Sequence, residues 1–534
     1  MLNAPIVTEW LPLDTATIGV LDLSTGVHGQ PSGAIVAQLQ TVWLQILLCV
    51  AAALPLFWPQ MPPLTDLGGH LGRFAVQIDG GVTASLRQWY SFHWHVIPNL
   101  GTDLLMQLLA PRMGLEPALK AIVIGIVLVQ TAGFLMLAKI VHGHVPPTAL
   151  LALPLVYGYP FQFGFLNFAL CTAFGTWALV LWIYLDRPGL GLRRWLAFVP
   201  IAGALWICHL AGWALFCVLA AGVEFARWRE RGLLWRDVCV RSAAPLSCLL
   251  LPCLMFVFWP HVAGTPGVTQ GWFEIIAKLG MIVMALRDRW GVWDVASALL
   301  LLGIIGWTWR SGRFSRHSGL ALGALLASAA FVIVPKHVGG TSFVDMRLVP
   351  LILAIALIAV RPRDDCPRRI VEALAAAALL FVGARFVGNA ASLALFDRQF
   401  AQDLAILDAM PQDAQLVTLS VKPCVRNEPW LRDRRTHLAG YALARRHDFA
   451  NDQWLVAGGQ LLQVHDAAVG PFIGDPSQGA SPTACRGNPG LFNVVAKVPP
   501  AVPYLWIIEN GVARDFPGWT PIRKSAGSVL YTRN

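Results

Sequence analysis

The fold is decided by PPLTDLGGHLGR, residues 62–73, and by what stands before it. Directly upstream runs AIVAQLQTVWLQILLCVAAALPLFW, residues 34–58, an apolar stretch long enough to cross a bilayer. Pro62 and Pro63 stop that run, because proline offers no N–H to a continuing helix. Thr65 or Asp66 then caps a new helix. On it Asp66, His70 and Arg73 fall at i, i+4 and i+7 and share one face. Two readings fit. One is a capped interfacial helix with a surface ion pair. The other is a carboxylate at the mouth of a membrane cavity, where low dielectric raises its pKa and makes it a useful base.

The rest of the chain fits a membrane context. Its 534 residues are 56% hydrophobic and 13% charged, whereas a soluble domain carries about 25% charged residues. The mean hydropathy is +0.58. The composition implies a polytopic α-helical membrane protein. Apolar runs mark about 11 spans, near 35–58, 119–141, 147–158, 164–185, 195–208, 210–225, 242–259, 292–309, 318–334, 347–361 and 370–390. Charge settles two ambiguous stretches. Residues 195–225 make two crossings with a turn near His209, since one crossing would split Arg193 and Arg194 from Arg227, Arg229 and Arg231. WFEIIAKLGMIVMALRDRW, 272–290, becomes an amphipathic helix on the outer interface. The net charge of +10 then lies in short Arg-rich inner loops, which fits the positive-inside bias and not a nucleic-acid partner.

The expected organisation is a cytoplasmic tail over 1–34, a transmembrane domain over 35–395 and an extracytoplasmic α/β domain over 396–534. Outer loops fall at 59–118, 260–291 and 335–346. The tail has no Lys or Arg, so the first span is expected to act as an uncleaved signal in a bacterial inner membrane. In the last domain FDRQFAQDLAILDAM (396–410) and HLAGYALARR (437–446) read as helices. QLVTLSV (415–421), YLWIIEN (504–510), TPIRK (520–524) and SVLYTRN (528–534) read as strands. Most cysteines sit in or beside apolar runs as packing residues. Cys424 and Cys485 stand apart in the polar region, a candidate disulfide if that region is exported.

Other polar groups collect at the same outer boundary. In RQWYSFHWHVIPNLGTDLL (87–105), Trp89, Tyr90, Phe92 and Trp94 form a belt suited to the headgroup zone. His93 and His95 share a face only if extended, where they become a candidate metal pair. Asn99 and Asp103 are four apart and precede a span, placed to face a cavity. YGYPFQFGFLNFAL (157–170) sets Gln162 and Asn167 in apolar surroundings. His209 marks the turn at 195–225, as a satisfied core histidine or a cavity group. PKHVGGTSFVDMR (335–347) brings Lys336, His337, Asp345 and Arg347 to the start of a span. Arg347 either clamps a lipid phosphate, which its fork matches, or pairs with Asp345 to anchor the helix end.

No Walker A loop, GxGxxG, HExxH or CxxC occurs. With no long cytoplasmic segment to use a nucleotide, an outward-facing enzyme would draw an activated substrate from the bilayer, on a lipid. PPLTDLGGHLGR, WHVIPNLGTDLL (94–105), FGFLNFAL (163–170) and GGTSFVDMR (339–347), with this topology, resemble a bacterial branch of the GT-C superfamily of integral membrane glycosyltransferases. The resemblance implies transfer of a sugar from a polyprenyl-phosphate donor to a glycan, lipid or protein acceptor on the outer side. It implies Asp66 as the first-loop carboxylate, acting as general base, with His70 tuning it. Arg347, Lys336 and Arg73 would hold the donor phosphate, and His93, His95, Asn99, Asp103, Asn167, His209 and Asp345 would line the cavity. Asp66 lacks the adjacent second acid of several such families, so a divalent metal is left open and no other cofactor is implied. A transporter or flippase, or a non-catalytic assembly protein, are the rival readings.

Overall fold

The structure is a computed structural model that describes residues 33–258, 269–339, 341–424, 429–456, 459–465, 467–485 and 488–534. Nearly all of the expected 1–34 tail, and residues 260–268 of the second outer loop, lie outside the described residues.

The helices that matter here are α1 (Val42–Phe57), α2 (Leu67–Asp79), α3 (Gly101–Met113), α4 (Leu115–His142), α5 (Leu166–Tyr184), α6 (Gly191–Cys208), α7 (Leu210–Glu230), α8 (Trp235–Leu250), α9 (Ile275–Val283), α10 (Gly291–Arg310), α11 (Ser318–Ile333), α12 (Val344–Ile358), α13 (Arg368–Leu404) and α14 (Ala439–Arg446). Among the described residues, seven helical stretches are long and apolar enough to cross a membrane, and α1 and α11 are shorter apolar helices. The turn expected at His209 separates α6 from α7. The expected span over 147–158 is not one helix. It is a four-residue turn at Pro147–Leu150, a 3-10 turn at Leu153–Tyr157 and a short helix at Tyr159–Phe163. Pro147, Pro154 and Pro160 each open a new turn, because a proline cannot continue the turn before it, and the segment is buried where neighbouring helices cover it.

The strands are β1 (Tyr90–Phe92), β2 (Phe314–Arg316), β3 (Val360–Pro362), β4 (Leu416–Val421), β5 (Leu462–Val464), β6 (Gly479–Ala480), β7 (Tyr504–Ile508), β8 (Trp519–Lys524) and β9 (Ser528–Arg533). Five of them form a mixed sheet in the order β6-β4-β7-β9-β8. β4 runs parallel to β6 and β7, and β9 is antiparallel to β7 and β8. α13 links this sheet to the helical body without a break. It has 37 residues, about 55 Å at ~1.5 Å per residue, well beyond the ~30 Å of a hydrocarbon core. GNAASLALF (388–396) holds no proline to break it, so the separate span and following helix expected there are one.

Three contacts bind the loop after α1 to the C-terminal region. β1 pairs antiparallel with β5, Tyr90 opposite Val464. The Tyr90 hydroxyl donates to Ala450 O (2.9 Å) and accepts from Ala450 N–H (2.8 Å). Tyr90 also stacks on Phe449 with centroids 5.7 Å apart, so this part of the expected aromatic belt is core instead. α2 packs on α14 through glycines. A Cβ on Gly440 would collide with the Gly68 carbonyl, and one on Gly72 would come within 3.1 Å of Gly440 Cα. The GGxxG of the opening stretch is thus a close-approach surface. Finally, Arg434 reaches Pro63 O (2.9 Å) and Asp288 (2.6 Å), while Asp294 takes both Arg385 (2.8 Å) and the Trp430 indole N–H (2.8 Å). Cys424 and Cys485 are joined as a disulfide.

The arginine-rich loops gather at one end of the helical body. β2 and β3 pair there, setting Ser315 opposite Arg361. α7 starts at His209 and carries Arg227 and Arg229 in its last turn. His209 and those arginines are therefore about 30 Å apart along one helix.

Candidate functional site

Asp66 holds the N-cap position of α2, yet its side chain makes no cap bond. The backbone around it is fixed differently. Asp66 N–H donates to Phe163 O (2.9 Å), and Thr65 N–H to Gln162 O (3.3 Å). Gly164 at φ +100° lets the two chains touch, since a Cβ there would lie 3.1 Å from Asp66 Cβ. The Asp66 side chain is left 12% exposed, its carboxylate beside His437 Nε2 at 3.9 Å. His437 Nδ1 lies 2.9 Å from the Asp452 carbonyl. Its proton belongs there, so Nε2 turns a lone pair toward Asp66.

Burial raises Asp66 to about 7, against lowering by Arg432, with Asp475 raising it further and Arg347 lowering it. Burial likewise raises Asp452 to about 7. His437 is lowered by burial. His70 sits one turn beyond Asp66, 5.0 Å from the Trp454 ring, and is lowered well below its usual value by burial and by Arg73. At neutral pH the cluster holds two neutral imidazoles and two carboxyl groups poised near half-ionisation.

Three cations stand on an aromatic triad beside this cluster. Phe163 stacks on Phe165 at 4.6 Å and meets Phe343 at 5.5 Å. Arg347 lies 3.9 Å from the Phe165 centroid, Arg432 4.3 Å from Phe163 and Lys336 5.4 Å from Phe343. Phe343 holds a left-handed backbone, φ +57°, which costs energy for a bulky residue and recurs at functional sites. Arg347 donates to Ser342 O (3.1 Å), and its Nη1 faces His209 Nε2 at 3.2 Å. His209 Nδ1 accepts from the N–H groups of Ala211 (3.2 Å) and Gly212 (3.4 Å). Burial holds this imidazole neutral, so its one proton is on Nε2. Two N–H donors then face each other, an arrangement an anionic oxygen would satisfy. Gln162 adds a buried side-chain amide whose nitrogen and oxygen both lack partners among the described residues.

Other expected site residues are committed elsewhere. Arg73 and Asp103 form a buried bidentate pair, Nη2 to Oδ2 at 3.2 Å, so the Arg73 charge is balanced inside the scaffold. Asn167 Oδ1 accepts from Thr102 N–H (2.6 Å), and its Nδ2 donates to Asn99 O (2.8 Å), stapling α3 to α5. Asp345 pairs with Lys278 (3.3 Å) rather than with Arg347. Lys278 also reaches Phe331 O and Val334 O, the carbonyl end of α11, and so docks α9. His93 and His95 are exposed beyond β1. Among the described residues no three His, Cys, Asp or Glu groups stand together to hold a metal ion.

Sequence reasoning missed Arg432, His437, Asp452 and Trp454. They lie in a stretch with no motif, and α2–α14 packing delivers them to Asp66. The small-residue spacing of Gly68 and Gly72 was the available signal. A narrow slot of about 50 Å³ runs beneath Arg347, lined by Phe134, Leu155, Val156, Phe161, Phe168 and Leu351. A larger cavity of about 440 Å³ opens between α13, residues 60–61 and α14, bordered by Asp397, Phe400, Tyr441 and Arg445.

No protein-family model matches this chain, and no curated protein matches it. Two solved structures do. ArnT from Cupriavidus metallidurans bound to undecaprenyl phosphate has a TM-score of 0.48 and 13% identity, covering 92% of this chain and 98% of that one. The same protein in the apo state has a TM-score of 0.47 and 13% identity, covering 92% and 97%.

Proposed function

We propose that the chain is a membrane glycosyltransferase of the GT-C type. It moves a sugar from a polyprenyl-phosphate donor to an acceptor hydroxyl outside the cytoplasm. One observation carries this reading: a carboxyl group with a pKa near neutrality shares a buried site with cations backed by aromatic rings, about 30 Å along the helices from the arginine-rich loops. Such a site suits a lipid phosphate and a hydroxyl nucleophile. The Cys424–Cys485 disulfide favours an oxidising compartment for the same side.

In the reaction the acceptor oxygen attacks the anomeric carbon as Asp66 takes its proton. The bond from that carbon to the phosphate oxygen breaks, and polyprenyl phosphate leaves with the electron pair. Arg347, Arg432 and Lys336 stabilise the charge that grows on the leaving phosphate. His209 Nε2–H and Arg347 Nη1 share one phosphate oxygen. His437 Nε2, 3.9 Å from the Asp66 carboxyl, offers a lone pair that orients the protonated acid and relays its proton toward solvent. Gln162 offers its amide to sugar hydroxyls. Arg73 and Asp103 hold α2 in place and do not bind the donor. The slot beneath Arg347 receives the first isoprene units, and the exposed Trp272, Phe273, Ile276 and Leu279 around α9 lie against the acyl layer. The acceptor approaches from the 440 Å³ cavity, whose Tyr441 ring packs on Gly68.

The test uses purified protein in liposomes with a set of polyprenyl-phosphate sugars and a bacterial envelope extract as acceptor. Wild type should release free polyprenyl phosphate, and Asp66→Asn should release it at least ~10²-fold more slowly while eluting as a folded species. Release by Asp66→Asn at the wild-type rate rejects the assignment. Movement of intact donor across the bilayer, without release, would establish a flippase instead.

A further inference from the structure

The opposite end of the body carries a second cluster that this chemistry does not use. α7 ends and α8 begins within ARWRERGLLWRDVCVR, residues 226–241, which sets five arginines against two carboxylates. Three of the guanidiniums surround one indole. Arg227, Arg231 and Arg241 have Cζ at 5.3, 4.7 and 5.4 Å from the Trp228 centroid. Arg229 stands over Trp235 at 5.1 Å. The ring faces attract these cations, but the cations repel one another. Arg227 is balanced by Asp186 at 2.7 Å. Arg231 and Arg241 have no carboxylate partner among the described residues, because Glu230 turns to the Ser318 hydroxyl. The Trp228 indole N–H is buried and also lacks an acceptor among them. Two guanidiniums thus stand over one indole without a carboxylate among the described residues, and the N–H of that same indole has no acceptor among them.

The helix below fits an acyl chain. The apolar window of Trp235–Val257 is only 22% buried, against 61% for α4 and 67% for α5. Leu234, Val240, Leu250 and Leu254 are each more than half exposed along it. We propose that this corner binds an anionic phospholipid. Its phosphate sits among Arg231, Arg241 and the Trp228 N–H, and its acyl chains lie on α8. Net negative charge is required, because a choline headgroup would bring a further cation to an uncompensated basic cluster. The proposal is independent of the glycosyl-transfer reading, since the patch lies a full helix length from Asp66 and Arg347.

The experiment is native mass spectrometry of the full-length protein released from nanodiscs holding equal amounts of phosphatidylglycerol and phosphatidylcholine. Wild type should retain phosphatidylglycerol preferentially. Arg231→Gln/Arg241→Gln should lose that preference by roughly tenfold or more, the scale expected for two basic groups at an anionic surface. Arg231→Lys/Arg241→Lys, which keeps charge but loses the planar stacking, should fall between. Equal retention of the two lipids by wild type overturns the proposal, whatever the variants do. So does an unchanged preference in the Gln double variant, or its abolition in wild type by millimolar inorganic phosphate, which would assign the site to the free anion.

Discussion

Asp66 takes a helix N-cap and leaves the cap unmade, and that is the decisive fact at the scale of single residues. An Asp at this position normally accepts an N–H of the first turn, which lowers its pKa. Here burial without that bond raises it to about 7. The proposed transfer needs the ionised form, so the rate at saturating substrate should rise with pH, bend near 7 and level off above. A flat profile from pH 5 to 9 would mean another group is the base. Asp66→Asn should cost at least ~10²–10⁴-fold in rate. His437→Gln keeps a hydrogen-bonding side chain but cannot take a proton. It should lower kcat more than KM and move the bend of the pH profile, which a purely packing role would not do. The same shift bears on stability. Between the unfolded value of 3.8 and about 7, the folded state holds a proton that the unfolded state lacks. The contribution is therefore full below 3.8 and is lost as pH rises through 7, with Asp452 acting in the same direction. Asp66 and Arg347 stood out as candidates in the sequence because each follows a helix breaker or loop. Arg432 and His437 did not, because their meaning depends on a partner hundreds of residues away.

At the scale of elements, the glycines of α2 decide what reaches Asp66. Gly68 and Gly440 allow backbone contact between α2 and α14, and that contact sets His437 beside Asp66. Gly440→Ala should separate the helices. We expect a loss of ~1–3 kcal/mol in stability, read as a lower Tm of the purified protein, and a larger loss of activity than of fold. The Arg73–Asp103 pair is the second fixture of α2. Arg73→Met alone would strand a buried carboxylate and should cost ~3–5 kcal/mol. Arg73→Met/Asp103→Leu should recover most of that loss, with donor affinity unchanged. A defect in donor binding that persists in the stable double variant would return Arg73 to the phosphate site. The apolar runs that became β4, β7, β9 and α14 fell close to where the sequence put them. The segment at 147–158 did not, because hydropathy alone cannot register the prolines that break a buried run.

At the scale of the molecule, the proposed orientation rests on charge distribution and cysteines. With the Arg-rich loops placed inside and the disulfide outside, the sheet and the Asp66 site would face away from the cytoplasm. Cys239, exposed at the head of α8, should then react with a membrane-impermeant maleimide only after cells are opened. Labelling of intact cells would invert the assignment. The membrane class and the grouping of polar residues at one boundary were readable from composition and spacing. What no sequence pattern announced was that the C-terminal region borders the proposed site, because its docking rests on buried pairs such as Arg434–Asp288 and Trp430–Asp294. The most direct test of the whole account is the lipid that the protein carries out of its own membrane. Mass spectrometry of gently purified wild type should find an isoprenoid phosphate that is absent from Arg347→Gln. Its absence from wild type, or equal amounts in both, would contradict the claim that Asp66 and Arg347 share one site for a lipid-linked donor.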